Sequence, residues 1–250
     1  MLPNKPELKL KPKLLVLFSI FFILILALEI YAEHNHVITK DFTFLAIMQP
    51  LVVPGLIAYL IYNCKGRFTS LSVGVLAGLS FDWIADVVLT LHKDVFNIPC
   101  MLGYFAGHVC YAIAFAFSTN KSGYKVSLIN RFIFSLPPIF YIVVYYFFIY
   151  NYMSTHDVKS IYIIPTLLYA VSILAMSTTA LWRMGTTTDA SYWCITSGAL
   201  FYMLSDSITG YDHFVHPVQL KYVASMFFYG IALLLFTMGA IVHQPSKKIA

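Results

Sequence analysis

Residues 69–91 read TSLSVGVLAGLSFDWIADVVLTL. As a helix this run is long enough to cross about 30 Å of hydrocarbon. It also holds two carboxylates, Asp82 and Asp86, at positions i and i+4. The length predicts a membrane span, and the paired acids predict that one face of the span is turned away from lipid.

Seven more runs of this kind flank it, at 14–32, 43–63, 98–118, 132–151, 160–182, 190–211 and 219–241. Hydrophobic residues make up 60% of the 250 and charged residues 11%, with a mean hydropathy of +0.77. These values exclude a soluble domain and place the chain in a bilayer. The expected fold is all-α: a bundle of eight transmembrane helices forming one integral membrane domain over 1–250. No linker or low-complexity tract divides it. The basic N-terminus and the apolar stretch Leu14 to Leu28 read as a first span. The run is too long for a secretory signal, and no small-x-small cleavage site follows.

With eight spans both termini share a side. Lys5, Lys9, Lys11, Lys13, Lys65, Arg67, Lys121, Lys125, Arg131, Arg183, Lys247 and Lys248 fall on the termini side, against Lys40, Lys93, Lys159 and Lys221 opposite. The positive-inside rule therefore puts both termini in the cytosol. The expected location is a bacterial inner membrane, with an endoplasmic-reticulum-like membrane as the alternative. The net charge of +5 is absorbed by this topology, and no basic patch with interleaved aromatics points to nucleic acid. Cys64, Cys100, Cys110 and Cys194 lie on separate segments without metal-type pairing and read as packing residues.

Glu29 lies near the outer end of the first segment; the acids well inside apolar runs are Asp82, Asp86 and Asp206, and the histidine so placed is His108. An Asp at a helix centre costs about 2.5 to 3.5 kcal/mol on insertion, so three require roughly 8 to 10 kcal/mol of compensation. Helical spacing supplies the partners. Tyr104, His108 and Tyr111 share one face of the fourth helix, and Tyr202, Ser205, Asp206 and Thr209 one face of the seventh. Three polar stripes on three apolar helices satisfy one another by converging on an interior pocket. At 1.5 Å per residue, Asp86 and Asp206 come to about 7 to 8 Å from the outer helix ends and His108 to about 15 Å. The bland reading is interhelical hydrogen-bond glue, which suits Ser205, Tyr111 or Thr209 taken alone.

Residues 82–89, DWIADVVL, together with Gly103-x-Phe105-x-Gly107-His108-x-x-Tyr111 and Gly198 to Ser207, GALFYMLSDS, resemble the YhhN family of lysoplasmalogenases. Two positions depart from the family pattern: Ala85 stands where the family has Gly, and Leu233 where it has Gln. The resemblance implies a hydrolase that cleaves the vinyl ether of lysoplasmalogens. The products are a fatty aldehyde and glycerophosphoethanolamine or glycerophosphocholine. The substrate partner is then a lysophospholipid drawn from the bilayer, and no cofactor or metal is expected.

The chemistry of such a bond fits a carboxylate cluster. A vinyl ether opens by protonation of its β-carbon, which creates an oxocarbenium-like cation that water traps. The step needs a shielded proton donor and a nearby anion. Clustered carboxylates cannot all ionise, so one is kept as acid. The expected catalytic residues are Asp82, Asp86 and Asp206. One of the first two is protonated and Asp206 is ionised, with Tyr104, His108, Tyr111, Tyr202 and Ser205 positioning substrate or water. Oligomeric state has no signature in the sequence.

Two other classes use similar residues. A proton-coupled transporter relays protons through Asp and His chains, but such folds show broken helices in repeated halves, and no repeat is evident here. A zinc hydrolase needs three ligands with several His. His34, His36, His92, His156, His213 and His216 fall on expected outer loops and His243 near the inner end, leaving one core histidine.

Overall fold

In a computed structural model the described residues are 12–39, 42–66, 68–92, 98–120, 126–156, 160–218 and 221–244. They form α1 (Pro12–Thr39), α2 (Thr43–Cys64), α3 (Ser70–His92), α4 (Ile98–Asn120), α5 (Leu128–Thr155), α6 (Ile163–Leu181), α7 (Asp189–Phe214) and α8 (Lys221–Ile241). A single 3₁₀ turn, Ser160–Tyr162, leads into α6, and no strand is present among the described residues.

Seven of these helices are long and apolar enough to cross a membrane, which makes the chain an integral multi-pass membrane protein. The eighth expected span, α7, is long enough at 26 residues but falls short in apolar composition. Its Ser197, Ser205, Asp206, Ser207 and Thr209 are the cause. Of the charges that set the expected topology, Lys65, Arg131, Arg183 and Lys221 are described. The side chain of Lys13 and all of Lys5, Lys9, Lys11, Arg67, Lys121, Lys125, Lys247, Lys248, Lys40, Lys93 and Lys159 lie outside the described residues.

The core is continuous through seven helices, with Leu26, Leu56, Leu79, Phe115, Met176, Ile195 and Phe236 all buried in it. The remaining helix, α5, packs on α6 and α7 and turns Phe132, Phe140, Val143 and Phe147 outward, an apolar face suited to lipid. Local rules set the helix ends. Ser127 caps α5 by accepting from Asn130 N–H, and α2 stops where Lys65 and Gly66 take left-handed backbone at φ 45° and 75°. Inside α2, Pro54 has no N–H to give to Pro50 C=O. The Trp83 indole N–H of α3 donates to that carbonyl at 3.0 Å, so a proline defect becomes a tie between helices.

One expectation about position is corrected here. α1 continues to Thr39, seven residues past the expected end, so Glu33, His34 and His36 are helical rather than loop residues. Nothing between Leu14 and Thr39 breaks the helix. Arg183 lies in the turn after α6, outside the helices as expected, and is fully buried. It donates to Ser118 Oγ, Ser191 C=O and Ser191 Oγ, and meets His243 Nδ1 at 3.3 Å, tying α4, α7 and the chain after α8 at the termini end. Its side chain carries no ion pair to an acid among the described residues. Burial pushes Arg183 down to about 9 and His243 down to about 4, so at neutral pH a cation meets a neutral ring.

Candidate active site

The centre of the site is the α3–α4 seam. Gly107 of α4 lies directly against Asp82, and Gly78 of α3 against the Tyr111 ring; a methyl group at either position would overlap its neighbour. Close approach of these backbones seats Asp82 in the middle of the bundle, where it is fully enclosed. Tyr111 Oη donates to Asp82 Oδ2 at 2.7 Å and Tyr202 Oη to Oδ1 at 3.0 Å. Ala85 packs its methyl over Gly103, whose missing side chain leaves the room for it.

One turn along, Asp86 is equally served. Tyr104 Oη donates to its Oδ1 at 2.7 Å, and Tyr229 Oη of α8 lies 3.2 and 3.1 Å from its two oxygens. Two phenol donors on each buried carboxylate are what an anion needs in hydrocarbon.

Asp206 is held differently. His108 Nε2 stands 3.4 Å from Asp206 Oδ2, and neither atom has a hydrogen-bond partner. The other ring nitrogen fixes the tautomer. Ser172 Oγ donates to Tyr169 C=O at 2.7 Å, which commits its proton, so His108 Nδ1 donates to Ser172 Oγ at 3.1 Å. That leaves a lone pair on Nε2 aimed at a carboxylate lone pair. The two repel unless one proton lies between them.

Tyr202 joins the two halves. Its ring meets that of His108 edge-on at 4.7 Å and that of Tyr229 at 5.5 Å while its hydroxyl serves Asp82. Ser205 is spoken for: its hydroxyl donates to Ser225 C=O at 2.8 Å, pinning α7 to α8. On the far side of α7, Tyr141 and Tyr145 of α5 reach Ser207 Oγ and Ser207 C=O.

A cavity of about 400 Å³ opens beside this network. Asp206, Tyr104, Tyr202 and Tyr229 line its polar side, while Met101, Ile142, Ile149 and Ile173 are among its apolar walls. Asp82, Asp86, His108 and Tyr111 do not line it; the first three stand one layer behind the tyrosines and Asp206. Seven of the eight residues chosen from sequence therefore join one network at two depths, while Ser205 lines the cavity beside it, bonded to Ser225.

Other participants were not chosen as site residues from the sequence. Tyr229, Tyr169 and Ser172 lie on α8 and α6, where 18 tyrosines in the chain leave no reason to single any out. Glu29 is buried within charge range of Asp86 and Glu33, and Glu33 lines the cavity mouth; their spacing on α1 was the available signal. His213, expected on an outer loop, is in the last turn of α7 and also lines the cavity. Among the described residues no three His, Cys, Asp or Glu side chains converge as metal ligands do.

A sequence model of the YhhN family matches residues 44–240, from the start of α2 to the end of α8. No curated protein and no solved structure matches the chain.

Proposed function

The chain belongs to the YhhN family, and from that premise we propose that it is a lysoplasmalogenase, hydrolysing the vinyl ether of a single-tailed plasmalogen inside the membrane. The observation that carries the reading is the His108–Asp206 pair, two otherwise unpartnered atoms 3.4 Å apart beside a cavity with a broad apolar wall.

Hydrogen-bond partners support a division of labour. Asp82 and Asp86 each have two tyrosine hydroxyls, against one, Tyr169, on Asp206, so the first two are the better supplied to stay anionic. Asp206, facing a bare imidazole nitrogen and the cavity, is the proton carrier. This assigns the acid to Asp206 and reverses the sequence-based expectation that Asp82 or Asp86 holds it.

The steps follow. The Asp206 carboxyl delivers its proton to the β-carbon of the alkenyl chain, and the C=C electron pair forms the new C–H bond. The ether carbon becomes an oxocarbenium ion. Tyr202, Tyr104 and Tyr229, polarised by donating to Asp82 and Asp86, present negative oxygen density to that cation. Water adds to the cationic carbon, and its proton passes to the Asp206–His108 pair, which restores the acid. The resulting hemiacetal transfers its hydroxyl proton to the glycerol oxygen and breaks the C–O bond, releasing aldehyde and alcohol. One water is consumed and no net proton. In this scheme Asp206 touches substrate, and Asp82 and Asp86 act through the tyrosines. The apolar wall of Met101, Ile142, Ile149 and Ile173 holds the chain.

The same reading places the domain over 1–250, both termini in the cytosol and the chain in a bacterial inner membrane, on the charge distribution of the sequence. The test is purified protein incubated with lysoplasmenylethanolamine in metal-free buffer. Aldehyde and glycerophosphoethanolamine forming in equal amounts is expected; intact lipid with no aldehyde contradicts the reading. One observation favours a proton-coupled transporter instead: Glu33, Glu29, Asp86 and Asp82 form a file of acids each within charge range of the next. Acid-driven uptake into proteoliposomes with no lipid product is its signature.

A further inference from the structure

Glu33 sits at the mouth of the cavity, 7% exposed, and its Oε2 is buried with no hydrogen-bond partner among the described residues. A buried carboxylate oxygen without a donor is costly, and the deficit points to a group that arrives with the ligand. Glu33 stands within charge range of His36 and of Lys221, which shares the cavity rim and pairs with Asp212; Asp212 also accepts from Val218 N–H, so α7 and α8 hold that cation in place.

From this pairing of a donor-seeking acid and a fixed cation on one rim we infer that the cavity mouth is a headgroup site for phosphoethanolamine, with the primary ammonium donating to Glu33 and the phosphate lying toward Lys221. The inference rests on the lysophospholipid reading of the cavity and names its preferred headgroup. A primary ammonium carries three N–H donors and satisfies Glu33 Oε2; a choline nitrogen has no N–H to give. Depth is consistent. Glu33 is four residues from Glu29, whose charge reaches Asp86, so a headgroup at Glu33 leaves the first tail atoms beside the acid network.

The test uses the full-length protein in nanodiscs and two lipids it cannot cleave, 1-O-alkyl lysophosphoethanolamine and its phosphocholine counterpart. Wild type is expected to bind the ethanolamine lipid about tenfold more tightly, the order set by one hydrogen bond to a charged group. In Glu33→Gln the ratio falls to within about twofold, and in Glu33→Asp, which keeps the charge, the preference persists. Equal binding of both lipids by wild type, no binding of either, or an unchanged ratio in Glu33→Gln each overturns the inference. Because neither lipid is hydrolysed, these outcomes stand apart from the hydrolase reading. Preferential binding without aldehyde release from the vinyl-ether lipid would overturn that reading alone.

Discussion

His108 Nε2 faces Asp206 Oδ2 at 3.4 Å with both atoms otherwise unpartnered, while the opposite ring nitrogen is committed to Ser172. On the proposed mechanism this arrangement stores a proton at the cavity wall. Asp206→Asn keeps the shape and removes the transferable proton, and aldehyde release is expected to fall by at least about a hundredfold. His108→Ala produces a comparable loss. Asp82→Asn and Asp86→Asn leave acceptors for the tyrosines but remove the negative charge behind them, and each lowers kcat by at least about a hundredfold with KM little changed. Steady-state kinetics on the four purified variants checks this, and full activity in Asp206→Asn would remove the donor role.

Gly107 is the position through which α4 approaches Asp82. Gly107→Ala gains about 1 kcal/mol of helix propensity but drives a methyl into the carboxylate. The expected result is loss of activity of tenfold or more, at the low end for a mispositioned acid-base network, in protein that still folds. Gly55, with open space around its Cβ position, is the control: Gly55→Ala leaves activity unchanged.

The Trp83 indole answers a carbonyl that Pro54 cannot. Trp83→Phe orphans Pro50 C=O and is expected to cost about 1–3 kcal/mol. In a Pro54→Ala background the restored backbone N–H bonds that carbonyl, so the same Trp83→Phe change costs measurably less. A double-mutant cycle on thermal unfolding reads the coupling, and additive effects contradict it.

Arg183 and His243 make the termini end sensitive to acid. His243 is held neutral to about pH 4 by burial and by the Arg183 charge, against an ordinary value of 6.5. Between these values the unfolded chain binds a proton that the folded chain does not. Stability is therefore complete above about pH 6.5 and declines as pH falls to about 4, then levels. Thermal midpoints across that range show the decline in wild type, and His243→Gln flattens it.

What was legible in the sequence divides by physical cause. Helix existence followed from apolar run length, and Asp82, Asp86, His108 and Asp206 stood out because charge in hydrocarbon is rare. Which acid carries the proton was not legible, since that depends on tautomer and on donor counts around each oxygen. The partners Tyr229, Tyr169 and Ser172 were hidden because tyrosine and serine are unremarkable in apolar helices. Arg183 was rightly placed in a loop, but its burial was not legible because sequence position alone does not reveal that Ser118, Ser191 and His243 fold around it. The end of α1 was set too early at 32 because Glu33 and His34 look like water-facing residues, whereas Glu33 faces the cavity.

The central claim is that Asp206 protonates an alkenyl carbon. Hydrolysis of lysoplasmenylethanolamine in D₂O by the purified protein, with the aldehyde analysed by mass spectrometry, tests it most directly. The account predicts a single deuterium on the carbon next to the aldehyde, formed by wild type and at a rate at least about a hundredfold lower by Asp206→Asn. Aldehyde without deuterium at that carbon, or deuterated aldehyde released at the wild-type rate by Asp206→Asn, would contradict it.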